Sequence, residues 1–387
     1  MNNEDMLSLS NGTLLISFPL LLLAIVPLGL AVKSKGVFIA KGGMMISYIA
    51  FILQISYFVL RWIAVGHAPV SNMYEFMTFF GIMLHGAFLL LHILYKQTVL
   101  GLFSIPAALL IIGYGSVFSN ETTPLIPSLQ SNWLAIHVIT VAASSAVLSI
   151  AFVTGIMYLL RTLDVNQKSI GSFCLEVVFC CLIVVVGFIV SSLLFNFFFS
   201  PVTVQITDVE KATQTVTYTM PVIVVNESAE ANTSYGIVEI PSAIHAQKLN
   251  SIFWSFITGS LLYILLRIGT RKRVIQLLKP FTRKTNPVLL DEIAYRSVLI
   301  GFPLFSLGGL FFAMIWAQLA WGRYWGWDPK EVWALITWLF YAALLHLRLS
   351  KGWEGERTAW LSIIGFSLIV FNQVFVNLVI AGLHSYA

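Results

Sequence analysis

Ten apolar runs of membrane-spanning length constrain this chain more than any other feature. They lie at roughly 13–32, 44–65, 75–95, 98–118, 134–160, 172–199, 251–269, 293–320, 330–347 and 358–383. A helical span needs about 20 such residues, because the backbone polar groups of a chain in lipid must be satisfied within the segment. The fourth run is the most interrupted, by Gly101, Pro106 and Gly113. Membrane helices tolerate these residues when neighbours satisfy the freed backbone groups. Of the 387 residues, 58% are hydrophobic and 10% charged, which excludes a soluble globular protein. The expected fold is an all-α polytopic membrane protein of about ten transmembrane helices with a small external β-rich insertion. Three regions follow: N-terminal helices over 1–199, the insertion over 200–250 and C-terminal helices over 251–387. No signal peptide of the usual form precedes the first run.

Lysine and arginine set the orientation. Sixteen of them follow odd-numbered spans, among them Lys33, Lys96, Arg161, Lys168, Lys272, Lys279, Lys284 and Lys351. The opposite side holds only Lys211, Lys248, Arg323 and Lys330, while Arg61 and Arg296 lie near span ends. Both termini and the loop before the ninth span are therefore expected outside. The basic segment 270–286 reads as a solvated cytoplasmic loop. The net charge of +5 sits in such short loops and does not point to nucleic acid. Cys174, Cys180 and Cys181 share one apolar run without CxxC or zinc spacing, and read as packing residues. The longest extramembrane segment, 200–250, alternates Val, Ile and Thr with polar residues, which predicts an external hairpin or ribbon. His245 within it reads as a surface histidine.

The densest chemistry lies in 321–348, WGRYWGWDPKEVWALITWLFYAALLHLR. Trp321, Trp325, Trp327, Trp333 and Trp338 fall within 18 residues. Asp328, Pro329 and Glu331 form a helix start, with a cap, a first-turn proline and a capping box. One reading is an aromatic belt at the membrane surface. The clustering, with Asp-Pro-Lys-Glu between the rings, favours instead an aromatic shelf for a large planar ligand. His137, in SNWLAIHV, begins the fifth span at this outer level, and His384, in AGLHSYA, ends the tenth there. Two neutral imidazoles on opposite faces of a porphyrin supply both axial ligands of a haem iron. Gln373, Asn377 and His384 share roughly one helical face. Interfacial polar residues are the plainer alternative for both histidines. His346 lies 18 residues beyond Asp328, about 27 Å down a helix and near the inner face. His85 and His92, seven apart on the third span, read as packing or pore-lining residues and as rival ligands. His67 is unassigned. In PVSNMYEF, residues 69–76, Asn72 and Glu75 suit another capping box.

The 321–348 stretch closely resembles the Trp-rich signature (WWD domain) of the haem-handling protein superfamily. Within it, the chain is similar to the CcsA/ResC membrane proteins of cytochrome c maturation. PVSNMYE resembles their external motif, and LLHLR their Leu-His-x-Arg element. The likeness covers 60–160 and 293–387 well and the middle poorly.

The resemblance implies His137 and His384 as external haem ligands and His346 as an intramembrane ligand. It also implies a shelf of Trp321, Trp325, Trp327, Asp328, Trp333 and Trp338 supported by the Asn72–Glu75 loop. The cofactor would be haem b, exported and presented to the CxxCH thiols of apocytochrome c. The partner would be a ResB/CcsB-type membrane protein, expected here as a separate chain and making the pair a cytochrome c synthase (haem lyase) of the system II type. Thiol-reducing proteins are a further partner class. No residue needs to act as an acid–base catalyst. The bacterial plasma membrane is the expected location, with the thylakoid membrane second. Two readings of other classes stay open: a transporter of another amphipathic solute, and a b-type electron-transfer membrane cytochrome.

Overall fold

The computed structural model describes residues 2–34, 36–122, 125, 129–207, 213–226, 236–241 and 245–376. Each of the ten expected spans is helical as far as the described residues reach, the tenth to Val376, and each is long and apolar enough to cross a membrane. The helices are α1 (Asn3–Ser34), α2 (Val37–Val65), α3 (Met73–Tyr95), α4 (Gly101–Gly115), α5 (Asn132–Thr162), α6 (Ile170–Phe198), α7 (Ala246–Thr270), α8 (Val274–Thr282), α9 (Pro287–Phe305), α10 (Ala313–Trp321), α11 (Pro329–Lys351) and α12 (Glu356–Val370). The eighth span is α9 and α10 joined by a π-helical segment, Ser306–Phe312. The tenth passes from α12 into a second π segment, Phe371–Val376.

The chain divides into two compact units. The first comprises residues 1–167, 278–327 and 334–369. In it α1 packs along α2, α3 against α4 and α5, and α5 against α9 and the π segment. Helix α5 is central: its Leu148 and Ala151 are buried with Ala294, Val298, Tyr341, Leu344 and Ile369. Small residues permit the close approaches that association in lipid requires. A Cβ on Gly155 would lie 3.0 Å from the Ala359 carbonyl oxygen, and one on Gly301 2.7 Å from Leu148.

The second unit comprises residues 168–277, 328–333 and 370–387. Gly187 of α6 meets Gly259 of α7, where a Cβ would come within 2.5 Å of the facing amide nitrogen. The expected hairpin is present: β1 (Val202–Thr207) pairs antiparallel with β2 (Thr213–Tyr218). A short parallel pair, β3 (Val224–Asn226) and β4 (Val238–Ile240), follows. Asn250 pins this insertion to α7. Its side-chain oxygen accepts from the Ile223 amide at 2.8 Å and its side-chain nitrogen donates to the Pro221 carbonyl at 3.0 Å. The Trp254 indole donates to the same carbonyl at 2.8 Å. His245 is exposed, as expected.

The basic segment 270–286 departs from the expected solvated loop, because it contains helix α8. Val274, Ile275, Leu277, Leu278 and Phe281 recur at helical spacing, which gives the segment an apolar face. Its first amides are capped from another helix: the Glu176 carboxylate accepts from Val274 at 2.9 Å and Ile275 at 3.1 Å. The cations are used as well. Lys279 donates to the Leu163 carbonyl and Lys284 to that of Val32, capping the C-terminal ends of α5 and α1.

Candidate functional site

The Trp-rich stretch starts where α10 stops. Gly322, at φ +71°, takes the left-handed conformation that ends α10, and its amide bonds the Gln318 carbonyl. Trp327 adopts φ +58°, a region side-chain-bearing residues rarely visit, and remains 70% exposed. Its ring meets that of Trp325 edge-on at 5.9 Å. The Trp325 indole nitrogen is buried and has no acceptor among the described residues. Arg323 lies over Gly326, where a Cβ would come within 2.7 Å of the guanidinium. The expected start of α11 forms: Asp328 accepts from the Lys330 amide and Glu331 accepts from the Asp328 amide. Trp333 packs on Phe371 at 4.4 Å. Trp338, five residues further along α11, lies among core side chains. It faces Phe302 at 5.5 Å, and its indole donates to the Ser306 hydroxyl at 2.8 Å.

Ser306 opens the π segment that holds His137. Pro303 supplies no amide hydrogen, which weakens the α-helical ladder just before the segment. Gly308 then lies directly against α5, with a Cβ position 2.8 Å from the Val141 amide nitrogen. Its carbonyl accepts from His137 Nδ1 at 2.8 Å. With the proton on Nδ1, Nε2 is the basic nitrogen of the neutral ring. The His137 ring stacks on Trp316 at 5.9 Å and 11°, and Trp316 meets Trp321 edge-on at 4.7 Å. Trp316 is 2% exposed. It is a residue that sequence reading missed, since a lone tryptophan in an apolar run carries no signal. The π segment was legible only as Pro303 followed by Gly308-Gly309.

His384 and Asn377 lie outside the described residues. Gln373 and Asn372 are buried in the second π segment, which interrupts the α-helical spacing on which their shared face was drawn.

The remaining histidines separate clearly. His346 is exposed on α11, with Ser350 Oγ 3.2 Å from Nε2. Ile336, Leu339, Ala343 and Ser350 share its exposed face, opposite the buried Thr337, Tyr341 and Leu344. Two residues on, Arg348 pairs with Asp291 at 2.7 Å and donates to the Trp353 carbonyl, fixing the C-terminal end of the helix. His85 is wholly buried, donating from Nδ1 to Gln54 at 2.8 Å and accepting on Nε2 from Ser47 at 2.9 Å. Both ring nitrogens are thereby used in packing. His92 keeps a buried Nδ1 without a partner among the described residues. His67 donates to the Ala68 carbonyl and lines a cleft of about 680 Å³ with Trp62 and Ser71.

In the 69–76 motif Asn72 caps α3 as expected, accepting from the Glu75 amide at 2.9 Å. The reciprocal half of the capping box does not form, because the Glu75 carboxylate has stronger partners. It pairs with Arg61 at 2.9 Å, both side chains 1% exposed, and accepts from the amide and hydroxyl of Ser71. Arg61 also donates to the Asn120 carbonyl and lies over the Tyr74 ring.

The description "Cytochrome C assembly protein" names a family whose pattern matches residues 70–384, from the PVSNMYE motif to His384. A cytochrome c biogenesis protein CcsA of Porphyra purpurea is 30% identical over 334 residues, covering 84% of this chain and 81% of its own. The CcsA of Gloeobacter violaceus is 29% identical over 335 residues, covering 84% and 80%. That of Marchantia polymorpha is 31% identical over 339 residues, covering 86% and 82%. This multi-pass membrane chain therefore belongs to the cytochrome c assembly protein family, the CcsA proteins of cytochrome c biogenesis among its relatives.

Proposed function

We propose that the chain carries haem b to the outer face of the membrane and presents it there for attachment to apocytochrome c. The observation that carries this reading is His137. Its proton is held on Nδ1 by the Gly308 carbonyl, its ring is stacked on Trp316, and its Nε2 is the nitrogen suited to an iron. His384 is the second axial ligand in this reading. Trp321, Trp325, Trp327, Asp328 and Trp333 form the shelf in this reading, with Trp338 further along the same continuous stretch. The buried Trp325 indole N–H suits an acceptor such as a haem propionate. The Asn72 cap and the Glu75–Arg61 pair fix the external loop that closes the site.

His346 is the inner ligand. An exposed imidazole at this depth of a membrane helix calls for a polar partner, and the open face of α11 leaves room for one from another chain. A ResB/CcsB-type protein fills that role, and thiol-reducing proteins keep the acceptor cysteines reduced. Bound haem and the acceptor thiols supply the thioether chemistry, while this chain binds and orients. The chain is thus half of a system II synthase. The bacterial plasma membrane is the proposed location, with both termini outside.

The test is purification with the partner protein, followed by addition of apocytochrome bearing CxxCH. Haem that leaves for the acceptor supports the reading. Haem that only cycles between redox states makes the protein a b-type cytochrome. Haem-free protein with proton-coupled uptake of a solute makes it a transporter.

A further inference from the structure

We infer that the π segment is the positioning element of His137, and that Gly308 and Trp338 act on the outer site through it without touching the ligand. The consequence for haem rests on the function proposed above; the geometry does not. A neutral imidazole has one donor and one acceptor nitrogen, and the partner of one decides the role of the other. Here the partner is a backbone carbonyl 171 residues away, so its placement depends on the course of the eighth span. Three features set that course. Pro303 lacks the amide that would continue the ladder. Gly308 approaches α5 so closely that a Cβ would lie 2.8 Å from the Val141 amide nitrogen and 3.0 Å from Thr140. The end of the segment tightens, the Ala313 amide bonding Leu310, while the Gly308 carbonyl accepts from His137. Trp338 reaches the segment from the Trp-rich stretch. Its indole holds Ser306, two residues before Gly308, and the Ser306 hydroxyl in turn donates to the Phe302 carbonyl. Tryptophan signature and ligand are thus joined by a short line of contacts, with Trp338 a positioning residue. A register-shifted turn at a functional site is a recurring use of π geometry.

The test reads the histidine itself. Haem-free protein labelled with 15N-histidine, assigned with His137→Gln, should show His137 as the Nδ1–H tautomer. An Nε2–H tautomer would overturn the inference. Gly308→Ala should push the segment off α5 and move the ring toward exchange between tautomers. Gly309→Ala should leave it unchanged, since the nearest atoms to its Cβ would be those of the Phe305 side-chain ring, at 3.1 Å, and not the α5 backbone. Trp338→Phe, which keeps an aromatic ring but no N–H, should shift the signal in the same direction as Gly308→Ala. Equal effects of the two glycine variants, or no effect of Gly308→Ala and Trp338→Phe, would refute a positioning role. In haem-loaded protein Gly308→Ala should weaken retention of haem about 10- to 100-fold, the usual size of such outer-shell effects. Added imidazole should restore part of it. If the tautomers behave as stated while His137→Gly matures cytochrome normally, the positioning role stands and the haem reading fails.

Discussion

Removing the Glu75 carboxylate should destabilise the junction of α2 and α3 by about 3–5 kcal/mol, the cost of leaving a buried charge without its partner. Arg61 and Glu75 are each 1% exposed and lie 2.9 Å apart. In Glu75→Ala, Arg61 retains the Asn120 carbonyl and the face of Tyr74. Those contacts are worth about 1.5–3 kcal/mol and about 0.5–2 kcal/mol, less than the desolvation of a guanidinium. The Ser71 amide also loses its acceptor, a further cost of about 1–3 kcal/mol if it stays buried. Replacing both members, as Arg61→Met with Glu75→Leu, removes the charges together and should recover most of the loss, since apolar replacements of buried pairs are often neutral. The assay is denaturation of purified protein in detergent, followed by the loss of folded signal. A Glu75→Ala protein within about 0.5 kcal/mol of native, the range of ordinary surface changes, would refute the reasoning. So would a double variant as unstable as the single one.

Other expectations follow from the same structure. Reporter fusions at Lys272 should be cytoplasmic, and those at Val222 and Trp325 external; a cytoplasmic Trp325 would reverse the orientation. His346→Ala should lower co-purified haem while His92→Ala leaves it, and loss only in His92→Ala would move the inner site to α3. Asn250→Ala removes three hydrogen bonds from a buried side chain. It should cost about 1–3 kcal/mol and expose 200–245 to added protease, and unchanged protection would show that Asn250 is not the anchor.

The sequence carried the spans because their apolar length is a local property, and it carried the Asp328 helix start because capping is local too. Pairings across the chain were hidden. Glu75 looked like the closing residue of a capping box; its use by Arg61 depends on the end of α2 meeting the start of α3. His85 and His92 share a face, yet only His85 receives Ser47 and Gln54 from α2. In 270–286 the flanking cations outweighed a short apolar pattern, and the cap that starts α8 comes from Glu176, about a hundred residues earlier. His137 was legible as a histidine at a span end. Its carbonyl partner required a π turn whose trace in sequence is one proline and two glycines.

The proposed function requires His137 to bind an iron at the outer face. The most direct measurement is cytochrome c maturation by His137→Gly and His384→Gly proteins, each with and without external imidazole. Both substitutions should abolish maturation, and imidazole should restore part of it by filling the vacant ligand position while the native haem spectrum returns. Full maturation by both proteins without imidazole would contradict the account.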